Sequence, residues 1–152
     1  MRSGRAGTGR LGYDMARVRV TRRVHFCAAH RLGRPEWTEA ENARVFGDCA
    51  NVNWHGHNYE LDVTVAGEVQ AETGFVYDLK QLRDAVERCV LADIDHRNLN
   101  LDVSWLAGVN PTTENLVVAI WERVKGELPP EVELVRLVLW ETPRNYVEYT
   151  GE

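Results

Sequence analysis

The sequence has no long apolar run and few cysteines. No stretch approaches the ~18–20 apolar residues that a membrane-spanning helix needs, and the N-terminus lacks the apolar segment of a secretory signal. The three cysteines, Cys27, Cys49 and Cys89, are an odd number in a chain without an export signal. This pattern argues against a disulfide-stabilised secreted protein, and we expect free thiols and a cytoplasmic location.

The chain also lacks an excess of positive charge. Its 18 basic and 23 acidic residues give a net charge of −5. Residues 1–14 hold three arginines and one aspartate, a local charge of +2, so the remaining residues carry −7. An acidic body gives no reason to expect a nucleic-acid partner. We expect residues 1–15 to be a flexible basic tail, or residues 1–14 to precede a true start at Met15, and residues 16–152 to form one domain.

Hydrophobic periodicity predicts four strands and two helices in the order β-β-α-α-β-β. Apolar residues alternate with polar ones in the strands and recur at helical spacing in the helices. This order is typical of an α+β fold, in which two helices cover one face of a four-stranded antiparallel sheet. The predicted strands are 16–30, 55–66, 132–141 and 145–149; the predicted helices are 79–92 and a segment from Thr112 or Thr113 to Pro129-Pro130; 31–54 and 93–111 are expected to be irregular.

Three histidines are predicted to meet at one end of the sheet. In a strand, His55 and His57 point to the same side, roughly 6–7 Å apart, and they share the apolar face. His30 ends the apolar face of the first strand. If the two strands pair, three imidazoles converge, which is a suitable ligand set for zinc. Three histidines leave a position open for catalysis, whereas Cys49 as a fourth ligand would close a structural site.

Cys49 lies in a loop of small and polar residues just before the histidines. A nearby cation would favour its thiolate, which can act as a nucleophile or a general base. Cys27 and Cys89 are interpreted instead as packing residues, because Cys89 belongs to the apolar stripe of the first helix.

Two further groups carry weaker signals. Asp95 and His96 can form a carboxylate–imidazole pair for proton transfer, although the dipeptide alone is more typical of a surface turn. Glu141 ends the apolar face of the third strand. Its carboxylate either meets solvent or binds two parallel N–H groups of a guanidine-like ring edge.

Several segments in order resemble the 6-pyruvoyl-tetrahydropterin synthase family, which includes the bacterial 6-carboxy-tetrahydropterin synthases of the queuosine route. The resemblance covers roughly residues 16–152. It implies the tunnelling fold (T-fold), a β-barrel assembled from several subunits, and a homohexamer built from two trimers with sites between subunits. The matching segments are FCAAHRL, FGDCANVNWHGHNYELDVTV, TGFVYDL, DIDHRNLNLD, NPTTENL and LWETPRNYVEY.

The resemblance also implies a role for each candidate residue. The family is a zinc-dependent lyase that acts on 7,8-dihydroneopterin triphosphate, eliminates triphosphate and needs no redox cofactor. By position, the zinc ligands are His30, His55 and His57; the proton-abstracting base is Cys49; the proton relay is Asp95 and His96; the pterin anchor is Glu141; and the ring contacts are Thr112 and Thr113.

Two products remain open within the family. The five-residue gap between Cys49 and His55 resembles the pyruvoyl-forming members, which favours 6-pyruvoyl-tetrahydropterin as the product. Trp54 and the ending ETPRNYVEY resemble bacterial members assigned to queuosine synthesis, which form 6-carboxy-tetrahydropterin and release acetaldehyde. A non-catalytic zinc-binding or pterin-binding module is the alternative from another class.

Overall fold

The computed structural model describes residues 16–152, so the expected basic tail of residues 1–15 lies outside the described residues. Short 3₁₀ turns cover Gly47–Ala50 and Ser104–Leu106, and a π-helical turn covers Glu87–Leu91. In chain order the other elements are β1 (Arg17–His30), α1 (Glu39–Phe46), β2 (His55–Glu68), α2 (Leu79–Val86), α3 (Ala92–Ile94), β3 (Arg97–Asn98), α4 (Thr113–Glu127), β4 (Glu133–Thr142) and β5 (Asn145–Tyr149).

The two longest strands form the centre of the sheet. β1 and β2 pair antiparallel without interruption, from Arg17 opposite Glu68 to His30 opposite His55. β4 pairs with β2, and β5 pairs with β4, both antiparallel. The full strand order is β3-β1-β2-β4-β5. The four predicted strands are therefore confirmed, with ends that move by two residues at most.

The expected four-stranded, purely antiparallel sheet is wrong. A fifth strand, β3, lies in the stretch expected to be irregular and pairs parallel with β1. A strand of two residues has no room for an alternating pattern, so periodicity cannot reveal it. Within residues 16–152 the sheet also has two open edges, β3 and β5, so this part of the chain does not close a barrel by itself.

Both predicted helices are present, and the structure contains one further helix that was not predicted from the sequence. The first forms a continuous helical segment of α2, the π-helical turn and α3, and Thr112 caps α4 by accepting the Asn115 N–H. The missed helix, α1, lies inside the expected loop 31–54. It begins with a capping box in which Thr38 and Glu41 satisfy each other's backbone N–H groups. Among residues 16–152, no helix is long and apolar enough to cross a membrane.

One face of the sheet carries the core. The apolar residues of β1, β2 and β4 pack there against α2 and α4, and most of them are buried. The opposite face carries charge, with Arg23 of β1 donating to Asp62 at 2.6 Å and to Glu60 at 2.9 Å, both on β2. Exposed ion pairs contribute ~0–1 kcal/mol each, so core packing supplies most of the stability. Its largest fully buried side chains include Phe26, Tyr59, Leu61, Leu82, Leu116, Ile120, Leu137 and Leu139.

Gly56, between the two histidines of β2, allows the close approach of β1. A Cβ atom at Gly56 would lie 2.9 Å from the Ala28 carbonyl oxygen, whereas one at Gly126 in α4 would meet nothing within 4 Å. We expect Gly56→Ala to lower the free energy of unfolding by about 1–3 kcal/mol through overpacking. The matched control, Gly126→Ala, should raise it by about 0.5–1 kcal/mol. Urea unfolding measures both, and equal effects would contradict the close contact.

Candidate active site

The three predicted histidines meet at the end of the β1–β2 pair. The imidazole centroid of His30 lies 4.5 Å from that of His55 and 5.1 Å from that of His57, and the last two are 5.0 Å apart. One nitrogen from each ring lies within 4.8 Å of the other two. We refer to these three residues as the histidine cluster. Its convergence confirms that the residues lie on one face, as the strand alternation predicted.

The chemistry of the histidine cluster fits a divalent metal ion. His30 is fully buried, and its Nδ1 lies 2.9 Å from the Pro111 carbonyl oxygen. A carbonyl only accepts, so Nδ1 carries the proton and Nε2 presents its lone pair to the cluster. The Nε2 atoms of all three rings are buried without hydrogen-bond partners. Buried nitrogens without partners are costly, and a metal ion would satisfy them together.

Burial favours the neutral, metal-binding form of His30 and His55. Burial lowers the pKa of His30, and the His55 and His57 imidazoles lower it further, although the Pro111 carbonyl opposes them. Burial also lowers the pKa of His55, and the His57 imidazole lowers it further. Neutral imidazole is the form that binds metal ions, so the site is prepared for one near neutral pH.

Glu141 faces the histidine cluster. Its Oε1 lies 3.7 Å from Nε2 of His30 and 3.6 Å from Nε2 of His57. A cleft of about 560 Å³ opens beside it, lined also by Trp140 and Pro143. The cleft lies where the pairing of β2 with β4 ends, at Glu60 and Trp140. This volume is in the range of small-molecule pockets.

Cys49 lies in the 3₁₀ turn that leads to β2 and is partly exposed. Its carbonyl accepts the Leu32 N–H at 2.8 Å, which ties the turn to the end of β1. Burial raises the pKa of the Cys49 thiol, and the Glu141 and Asp48 carboxylates raise it further. A cation in the histidine cluster would act in the opposite direction.

The Asp95–His96 pair lies elsewhere in the chain, beside Cys27 of β1. Asp95 Oδ1 accepts the Cys27 backbone N–H at 3.0 Å and lies 3.0 Å from Nδ1 of His96. Burial opposes ionisation of Asp95, but these two hydrogen bonds and the electrostatic effect of His96 and His25 together outweigh it and hold the pKa of its carboxyl below the usual value. The pair and the histidine cluster are thus two separate groups within one chain.

The two threonines lie at the start of α4. Thr112 accepts the Asn115 N–H at 3.2 Å, and Thr113 is buried. They follow Pro111, whose carbonyl orients His30, and this contact was missed from the sequence. Pro111 carries no side-chain chemistry, and its contact spans 81 positions, so only the fold reveals it.

A family model described as 6-pyruvoyl tetrahydropterin synthase matches residues 19–152. The chain is 42% identical over 141 residues to a human protein named 6-pyruvoyl tetrahydrobiopterin synthase, covering 93% of this chain and 97% of that one. The structure of Caenorhabditis elegans 6-pyruvoyl tetrahydropterin synthase is similar, with a TM-score of 0.85, 38% identity and coverage of 91% and 99%.

Two other relatives have different names. A Pyrococcus furiosus protein named dihydroneopterin monophosphate aldolase is 38% identical over 125 residues, covering 82% of this chain and 90% of its own length. An Aquifex aeolicus protein named 6-carboxy-5,6,7,8-tetrahydropterin synthase is 28% identical over 161 residues, covering 88% and 98%. Several chemistries therefore occur among proteins similar to this one.

The metal-free protein should lose stability in mild acid because of His30. A histidine whose pKa is lowered by folding binds more protons when unfolded, so the free energy of unfolding falls as the pH drops below about 6.5. We expect the loss between pH 7.5 and 5.5, measured by urea unfolding with a chelator, to be smaller in His30→Gln. The control His25→Gln, at an exposed residue, should retain the wild-type loss. Equal losses in all three proteins would contradict this assignment.

Proposed function

The chain belongs to the 6-pyruvoyl tetrahydropterin synthase family, and we propose that it converts 7,8-dihydroneopterin triphosphate to 6-pyruvoyl-tetrahydropterin with elimination of triphosphate. The observation that carries the proposal is the convergence of three imidazoles beside a cleft that Glu141 lines. A buried site of unpartnered nitrogens is costly to maintain without a ligand. This cost favours a metal-dependent enzyme over a scaffold protein.

We propose that the metal is zinc. The ligands are His30, His55 and His57, with the Nδ1 proton of His30 donated to Pro111 as an outer contact that fixes the ring. Three nitrogen ligands suit zinc and leave a coordination position free. When bound, zinc supplies Lewis-acid polarisation of substrate oxygens and a positive charge beside Cys49.

Cys49 is proposed as the base that removes a proton from a side-chain carbon of the substrate. In the metal-free protein its thiol is held protonated by burial and by the Glu141 and Asp48 carboxylates. Positive charge that enters the site would favour the thiolate, which couples the base to the loaded state. Loss of the proton starts the triphosphate elimination, and the electrons shift within the substrate to give the tetrahydropterin.

Glu141, Thr112 and Thr113 are proposed to bind the substrate. The carboxylate of Glu141 lies at the same end of the cleft as the imidazole nitrogens, which favours a hydrogen bond from a group held there. The hydroxyl of Thr112 already accepts one N–H, so its own proton remains free to donate to the ring.

The Asp95–His96 pair is proposed to relay protons in the site of a neighbouring subunit. Within one chain the pair contacts Cys27 and belongs to a different group from the histidine cluster. An assembly that brings the pair of one subunit to Cys49 of the next would complete the site. The proposed assembly is the homohexamer of two trimers, in which the open sheets of several subunits join into a barrel.

The identity of the products tests the proposed function. Incubation of the zinc-loaded protein with 7,8-dihydroneopterin triphosphate should yield 6-pyruvoyl-tetrahydropterin and triphosphate, identified by mass spectrometry. Acetaldehyde with 6-carboxy-tetrahydropterin would instead support the activity that names the Aquifex relative. Side-chain cleavage without release of triphosphate would support an aldolase, the activity that names the Pyrococcus relative. Unchanged substrate would contradict all three and favour a binding module.

Two substitutions separate the base from the metal site. Cys49→Ala should abolish turnover yet retain one equivalent of zinc, because the three imidazoles remain. His57→Ala should lose both, because it removes a ligand. Zinc content by atomic spectroscopy and product formation measure the two effects. Loss of zinc from Cys49→Ala would instead make Cys49 a fourth ligand, and full activity of His57→Ala would eliminate the metal assignment.

Mixed assemblies test whether the site is shared between subunits. Cys49→Ala and His96→Ala proteins should each be inactive alone. After joint unfolding and refolding, some sites would combine an intact Cys49 with an intact Asp95–His96 pair. We expect about a quarter of wild-type activity per site from random mixing, since each site must draw both intact halves. Activity that stays at zero, in mixtures shown to be hetero-oligomeric, would place both groups in one subunit.

A further inference from the structure

A second group of metal-ligating side chains lies at the β1–β3 edge of the sheet. A Cys27 sulfur, an Asp95 oxygen and a His96 nitrogen all lie within 4.8 Å of one another. Two of them, Cys27 and His96, line a cavity of about 490 Å³, which His57 also lines. The side chain of His96 is 79% exposed in the single chain, and in the proposed assembly it would face the substrate-accessible site of a neighbouring subunit, so a small ion can reach this group. We refer to these three residues as the edge cluster.

The backbone holds the edge cluster in place. The His96 N–H donates to the Cys27 carbonyl at 2.7 Å, and the Cys27 N–H donates to Asp95 Oδ1 at 3.0 Å. His96 adopts a positive φ of 59°, which turns the chain so that its ring lies beside Asp95. A side chain fixed in this way loses less conformational entropy when it binds a ligand.

The donor atoms of Asp95 and His96 lie slightly closer together than two ligands of a tetrahedral ion. Asp95 Oδ1 lies 3.0 Å from His96 Nδ1. With zinc–ligand bonds of about 2.0–2.3 Å, two ligand atoms of a tetrahedral ion lie roughly 3.3–3.6 Å apart. A small outward movement of the exposed imidazole therefore admits an ion. One thiolate, one imidazole and one carboxylate form a set that zinc-type ions bind well.

We propose that the edge cluster binds a second divalent ion of the zinc type and that this ion inhibits the enzyme. The ion takes the place of the proton between His96 Nδ1 and Asp95, and exchange with solvent puts a proton on Nε2 so that the imidazole stays neutral. The Cys27 thiol releases its proton to solvent as the metal–sulfur bond forms. The inhibition rests on the proposed function, since Asp95 and His96 are the proposed relay and a bound ion would occupy both. Metal binding itself does not depend on that function.

Cobalt binding tests the site without any activity measurement. In Cys49→Ala protein, the histidine cluster offers only nitrogen ligands, so a thiolate-to-cobalt charge-transfer band on adding Co²⁺ should come from Cys27. We expect two equivalents of Co²⁺ to bind, with the band developing during one of them. The double variant Cys27→Ser/Cys49→Ala should bind one equivalent and show no band. Absence of the band in Cys49→Ala, or its persistence in the double variant, would overturn the proposal.

A second variant guards against a folding defect in Cys27→Ser. His96→Asn keeps a residue that tolerates a positive φ while removing the imidazole. In the Cys49→Ala background it should weaken the second Co²⁺ equivalent at least tenfold and leave the first unchanged. An unaltered second affinity would also overturn the assignment of His96 as a ligand.

Activity tests the inhibitory role separately. Excess Zn²⁺ should lower turnover of the wild-type enzyme at least tenfold below its value at one equivalent. Cys27→Ser, compared with its own value at one equivalent, should lose less than half. Equal inhibition of both proteins would reject the regulatory role. If neither protein forms product at any zinc level, the proposed function fails, while the cobalt titration still decides whether the edge cluster binds metal.

Discussion

The uninterrupted antiparallel register between β1 and β2 determines where the functional side chains lie. Side chains alternate between the two faces of a strand, so a slip of one residue would move the two β2 histidines away from His30. The register runs from Arg17 opposite Glu68 to His30 opposite His55. The core residues of each strand lie on the same strand face as its histidines. Folding and metal-site assembly are therefore one event, because the packing that buries Phe26 and Leu61 also aligns the imidazoles.

The site at the end of the β1–β2 pair costs free energy when no metal ion is bound. Burial disfavours the charged forms of His30 and His55 and leaves nitrogens of the cluster without partners, which costs free energy in the metal-free protein. The Pro111 carbonyl offsets part of this cost and selects the tautomer of His30. Burial and two carboxylates likewise hold Cys49 as a thiol. A cation bound at the cluster would satisfy the unpartnered nitrogens and would favour the Cys49 thiolate. Both changes would occur beside a cleft large enough for a small substrate.

The parts predicted from sequence are those with a local signal. Alternation identified β1 and β2 and the shared face of His30, His55 and His57, and the bounds of β5 agree with the prediction. The missed α1 had a signal in Thr38 and Glu41, but it is short and mostly exposed. The position of Asp95 beside Cys27 depends on the two-residue strand β3 and on a hydrogen bond from the Cys27 N–H to the Asp95 carboxylate, 68 positions away. Long-range contacts of this kind leave no periodic pattern in the sequence.

Anomalous diffraction at the zinc edge, from crystals of the zinc-loaded protein, tests directly whether the three imidazoles bind one zinc ion. We expect a zinc ion about 2.0–2.1 Å from one nitrogen of each histidine in the cluster, with a water or substrate oxygen as the fourth ligand. A zinc ion bonded to the Cys49 sulfur at about 2.3 Å would make the site structural and remove the proposed base. Absence of zinc between the three imidazoles would contradict the account altogether.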